Sequence, residues 1–159
     1  MLVPKTKHLY LLLLLPLLIF LLISIYQSQF FHWSAVLDQD IMIIYNSLLI
    51  SSGIEQEYRD HPGYTTFVIY GFFIKAFSII NPNIISNIND LINSKDPNED
   101  IQNLYFFCRI INVFINYFLI FFLYKTLIKI KLSEKLAILS CGILIVSGWF
   151  TESFFYLRN

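Results

Sequence analysis

At 159 residues, 57% hydrophobic, 18% aromatic and only 14% charged, the chain has more apolar surface than a soluble domain of this length can hide. Its net charge is zero and no stretch interleaves bases with aromatics, which argues against a nucleic-acid surface and for an integral membrane protein. The expected fold class is all-α: polytopic membrane helices, with two interfacial amphipathic helices in the first outer loop.

The first predicted element is a span over about 9–26. The run from Leu9 to Ile25 is interrupted only by Pro16 and Ser24, with Lys5, Lys7 and His8 before it and Gln27-Ser28-Gln29 after it. About 20 apolar residues cross a bilayer, whereas the apolar region of a signal peptide is roughly 7–15 residues and precedes a small-residue cleavage site. None follows here, so an uncleaved anchor is expected.

An outer loop is predicted over 27–104. From residue 27 to 103 it holds nine acids against three bases, Arg59, Lys75 and Lys95. A helix is expected at about 39–50, with Gln39, Asp40, Asn46 and Ser47 on one stripe, Ile43, Ile44, Leu48 and Leu49 facing lipid or the bundle, and Gly53 as its stop. A second is expected at about 64–80. Its apolar stretch from Thr65 to Ile80 would reach roughly 24 Å, short of the ~30 Å hydrocarbon core, and Lys75 interrupts it. It is therefore read as lying at the outer interface. The Asn-, Asp- and Ser-rich stretch 81–103 is read as a surface excursion, with a turn at Lys95-Asp96-Pro97-Asn98 and a short helix from Ile84 to Leu91.

Further spans are predicted at about 105–124 and 136–157. The loop between them, Lys125 to Lys135, carries four lysines and by the positive-inside rule is cytoplasmic, as is the amino terminus. Residues 1–159 then form a single membrane domain. Cys108 and Cys141 both fall in apolar runs and have no ligand neighbour at zinc spacing, so neither a disulfide nor a zinc site is expected.

Chemistry is sought among the acids of the outer loop. Asp38 can cap the helix that starts at Gln39, and a capped carboxylate keeps a free oxygen that can take a proton from a hydroxyl nucleophile. Asp40, in the same turn, completes an Asp-x-Asp pattern that can hold a divalent cation; no cofactor is required by the residues. His61, at the start of His61-Pro62-Gly63-Tyr64, and Arg59 form an anion-attracting corner at a helix start. Arg109, near the outer end of the second span, can snorkel to lipid phosphate, pair with Asp38 or Asp40, or hold a phosphate bidentately. Asn112 and Asn116 are expected to bond to neighbouring helices. Glu152 is a candidate because a carboxylate near a membrane is costly.

The order of these features resembles the GT-C class of polyprenyl-phosphate-sugar glycosyltransferases, in its protein O-mannosyltransferase and aminoarabinose-transferase-like branches. Asp38 stands where those enzymes have the first loop acid, and Gln39 replaces their glutamate. The distance to Gly53 is similar, and His61-Pro62-Gly63-Tyr64 stands for the family's proline motif with Gly63 in place of its second proline. Cys108-Arg109-Ile110 resembles the arginine that opens the second span, and Lys125 to Lys135 the basic loop.

The resemblance implies transfer of a sugar from a polyprenyl-phosphate donor to an acceptor on the outer face of the membrane. Asp38 would be catalytic, and Asp40, His61, Tyr64, Arg109 and Glu152 would bind substrate. Family members have many more spans, so the chain is read as an amino-terminal portion, inactive alone, whose partners are the lipid bilayer and the remaining spans. The implied location is a bacterial inner (cell) membrane. The alternative is a non-enzymatic membrane subunit or assembly factor with an acidic outer loop. A transporter fragment is disfavoured by the lack of inverted repeats or broken helices.

Overall fold

The computed structural model describes residues 6–30, 32, 34, 38–57 and 64–147, with side chains described from 14–26, at 32 and 34, and across 40–57 and 64–147. Among the described residues the structure is all-helical: α1 (Thr6–Phe30), α2 (Asp38–Ser51), α3 (Tyr64–Ile80), α4 (Ile88–Ile92), α5 (Pro97–Lys129) and α6 (Glu134–Val146).

The organising element is α5, whose 33 residues give roughly 50 Å of helix. Asp96 caps its start by accepting from Glu99 N at 3.1 Å; Pro97 fills a position that needs no amide, and Glu99 and Asp100 favour the positive end of the dipole. Ser94 Oγ donates to Asp100 Oδ2 and accepts from Asp96 N, tightening the entry. Lys129 complements the other end.

Two apolar clusters divide α5 between them. In the first, Ile43, Ile44 and Leu48 of α2 and Phe67 and Ile74 of α3 pack on Leu104, Tyr105, Cys108 and Ile111. In the second, Phe20 of α1 meets Val113, Ile120 and Tyr124 of α5 and Ala137 and Cys141 of α6. Tyr70 meets Asn112 while Phe77 meets Phe107, so α3 runs antiparallel to α5.

α2 and α3 touch backbone to side chain. A Cβ built on Gly71 would lie 2.7 Å from Ser47 O and 3.3 Å from Ile50 Cγ2, so only hydrogen fits there. The stop at Gly53 follows its predicted reason. Gly53 has φ +75°, Ile54 N donates to Leu49 O at 2.9 Å and Gly53 N to Ile50 O at 3.0 Å, which is the Schellman arrangement. Past it, Ser51 Oγ donates to Ser86 O at 2.6 Å and Ile88 N donates to Ser52 Oγ at 2.8 Å, tying α2 to the segment before α4.

Pro97–Lys129 is long and apolar enough to cross a membrane; the other apolar stretches with described side chains are shorter. Much of the apolar surface faces outward, including Leu15 and Leu22 of α1, Phe118 and Phe122 of α5 and Leu139 and Ile143 of α6.

Several expected boundaries move. A helix begins at Pro97, capped by Asp96, where a turn was expected, and the stretch expected as a span at 105–124 lies within α5. The helix expected from Ile84 to Leu91 starts only at Ile88, where Asn87 caps it, while Ile84 and Ile85 pack on the core without being helical. α6 begins at Glu134, not 136, and the expected span to 157 runs past residue 147 into residues outside those described.

On α2, both stripes are buried. Asp40, Asn46 and Ser47 are as inaccessible as Ile43, Ile44, Leu48 and Leu49. The helix is enclosed by α3 and α5, and its polar side chains turn to backbone: Asn46 Nδ2 donates to Met42 O at 2.8 Å, and Ser47 Oγ to Ile43 O at 2.6 Å.

Candidate functional site

A stripe of polar side chains runs down α5. Tyr105, Arg109, Asn112 and Asn116 recur at helical spacing, so they share one face, and all are buried. Arg109 is 4% exposed, and its guanidinium lies 4.3 Å from the centroid of the Tyr105 ring one turn earlier. An arginine held this way is turned into the helix junction instead of snorkelling outward. Asn112 Oδ1 accepts from Tyr70 Oη at 2.9 Å and lies 3.2 Å from Asn116 Nδ2, which also donates to Asn112 O at 3.0 Å. Ser24 of α1 and Thr66 of α3 are buried polar residues too.

Asp40 enters the same junction from α2. It is 0% exposed and close enough to Cys108 and Tyr70 for its charge to act on both. Asp40 thus lies by the α2–α3–α5 packing that holds Tyr70 and Cys108, while Arg109 is buried over Tyr105 on α5. Either charge costs several kcal/mol to bury in isolation.

The sequence-predicted residues separate into three groups. Asp40 and Arg109 belong to the buried interior. Tyr64 does not: it opens α3, is exposed, and lines a shallow depression of about 520 Å³ with Ile50, Gly53, Ile54, Glu55 and Gln56. Asp38 is the first residue of α2, but its side chain lies outside the described set, as do His61 and Glu152 entirely. Asp40 has no exposed surface, so direct contact with a substrate would require α2 to move from its neighbours. No cluster of three or more His, Cys, Asp or Glu side chains suited to a metal ion occurs among the described residues.

The loop after α2 is held by side chains rather than left open. Glu57 N donates to Asn46 Oδ1 at 3.1 Å, and Tyr45 Oη donates to Glu57 Oε1 at 2.9 Å. That hydrogen bond to Glu57, with burial and the negative charge of Glu57 adding to it, holds the Tyr45 hydroxyl above its ordinary pKa.

Compared with family models, curated proteins and solved structures, the chain matches none.

Sequence reasoning gave no role to Tyr70 or Tyr105, and weighed Cys108 only for a disulfide or zinc. The available signal was spacing: Thr66 and Tyr70 lie four apart on α3, as do Tyr105 and Arg109 on α5. Asn112 does bond to a neighbouring helix, through Tyr70, and Asn116 Nδ2 donates to Asn112 within α5.

Proposed function

We propose that the chain is a membrane module of a polyprenyl-phosphate-sugar glycosyltransferase of the GT-C kind, a portion of a larger multi-pass enzyme of a bacterial inner membrane. In this reading α1, α5 and α6 cross the bilayer with the amino terminus and the lysine turn cytoplasmic, and α2 and α3 form the outer-face cap. The observation that carries it is the burial of Arg109 over the Tyr105 ring, on the α5 face whose Asn112 bonds to Tyr70 of α3. An ionised residue held inside an apolar helical junction is more readily accounted for by chemistry than by solubility.

The chemistry runs as an inverting displacement. An acceptor hydroxyl oxygen bonds to the anomeric carbon of the donor sugar as the carbon–oxygen bond to the polyprenyl phosphate breaks. Asp38 takes the hydroxyl proton, and the phosphate leaves with the bonding electron pair. Negative charge grows on that phosphate, and Arg109 is the group suited to receive it, since a guanidinium can hold two phosphate oxygens at once. His61 and Glu152 would complete the surroundings of donor and acceptor, with Asp40 joining them only as α2 moves from its neighbours.

The other reading, a non-enzymatic membrane subunit, is favoured by the Tyr70–Asn112–Asn116 bonds, which could serve packing alone. The two separate in a labelling experiment on the purified chain in lipid nanodiscs, using a photoreactive polyprenyl phosphate bearing a sugar. The glycosyltransferase reading expects crosslinking that falls about ten-fold or more in Arg109→Gln, the scale of a lost charged hydrogen bond. It expects Asp38→Asn to retain labelling, with circular dichroism confirming that both variants fold. Absence of crosslinking, or equal labelling of parent and Arg109→Gln, would leave the subunit reading in place.

A further inference from the structure

The turn between α5 and α6 repeats the closure seen after α2, with a different residue at its key position. Ile130 closes α5, Lys131 N donates to Ile128 O at 2.9 Å and Leu132 N to Leu127 O at 3.1 Å, a second Schellman arrangement. The residue at its left-handed position is Lys131, with φ +66°, where the matching position after α2 is Gly53. A side chain is strained there, and a lysine in that place is an outlier that invites a functional reading.

Its surroundings point to one kind of partner. Lys125, Lys129, Lys131 and Lys135 are all exposed, and Glu134 is the one acid within this stretch. Between the lysines, Ile128 and Ile130 are exposed, Ile130 at 67%. Leu127 and Leu132 instead pack into the α1–α5–α6 cluster, which fixes the turn to the helices. Positive charge alternating with exposed branched aliphatics fits the boundary of a bilayer, where phosphate headgroups lie over acyl chains. An acidic protein segment would satisfy the lysines and leave the two isoleucines in water.

We propose that this turn is a binding surface for anionic phospholipid headgroups, with Lys125, Lys129, Lys131 and Lys135 engaging the phosphates and Ile128 and Ile130 set among the chain ends. The inference rests on the membrane placement of α5 and is independent of any sugar transfer.

Native mass spectrometry of the full chain in mild detergent, with equal phosphatidylglycerol and phosphatidylcholine, tests it. Phosphatidylglycerol adducts are expected to exceed phosphatidylcholine adducts about five-fold or more, since each lysine near an anionic headgroup adds attraction. The preference is expected to fall to parity when all four lysines become glutamine and to persist when all four become arginine. Glu99→Gln with Asp100→Asn, at the opposite end of α5, leaves it unchanged. Equal adducts in the parent, or a preference that survives the four glutamines, would overturn the proposal. Neither result bears on polyprenyl-phosphate labelling at Arg109, so the two readings fail separately.

Discussion

Tyr70 Oη donates to Asn112 Oδ1 at 2.9 Å, joining α3 to α5 where neither residue has more than 1% of its surface exposed. Tyr70→Phe keeps the ring and deletes the donor. It is expected to destabilise the chain by about 1 kcal/mol, the usual net worth of an interhelical hydrogen bond. Reversible denaturation of Tyr70→Phe, Asn112→Ala and the double variant measures the pair directly. Strict additivity of the two single losses would mean that the bond contributes no coupling.

Gly71→Ala places a methyl group 2.7 Å from Ser47 O, a backbone atom that can yield only if α2 moves. A loss of about 1–3 kcal/mol is expected, in the range of overpacked cores. Gly142→Ala supplies the comparison, because nothing lies within 4 Å of a Cβ there; with its higher helix propensity alanine should be neutral or stabilising by up to about 1 kcal/mol. The same thermal shift for both variants would contradict the close contact between α2 and α3.

Lys131→Gly relieves a side chain held at φ +66° and is expected to raise stability by about 1 kcal/mol, less the greater freedom of glycine in the unfolded chain. Thermal unfolding in detergent would show it. A lower midpoint than the parent would mean that the lysine side chain stabilises its own turn by more than the strain costs.

Tyr45 and Glu57 confer a pH dependence in the alkaline range. Because the hydroxyl of Tyr45 titrates above its ordinary value, its neutral form is favoured by folding. The associated stability is fully present below the unfolded tyrosine pKa near 10 and is lost as pH rises through the higher folded value. Tyr45→Phe should remove this decline, so the stability difference between parent and variant narrows on going above pH ~10. Difference absorbance of tyrosinate between the two proteins gives the titration itself. A midpoint at or below the unfolded value would exclude the Glu57 bond.

The helices were legible because their causes are local. Gly53 stops α2 as a glycine after an apolar run should, and the bounds of α3 follow from Pro62 and Pro82 on either side of a continuous apolar stretch. The start of α5 was missed because Asp96-Pro97-Asn98-Glu99 serves equally as a turn and as a capped helix start. Only the bonds from Ser94 and Glu99 decide it. Burial was the larger gap. A polar stripe on α2 suggests a wet face, and nothing in periodicity tells Asp40 and Asn46 that α5 and the loop 53–57 will close over them. Arg109 stood out from sequence as a charge inside an apolar run that could snorkel, pair or hold phosphate, but its seat against Tyr105 depends on which way the helix turns in the assembled bundle.

Helix α5 has one further consequence, mechanical in kind. From Pro97 to Lys129 it is uninterrupted, and the proline at its start lies where it introduces no kink. A rod without a joint cannot absorb rotation at one end. In the proposed membrane placement, about 30 Å of its roughly 50 Å would lie in hydrocarbon, and a change in bilayer thickness would alter its tilt. That tilt would be carried along the rod to Tyr105 and Arg109, making the width of the membrane an input to the geometry of the buried polar stripe.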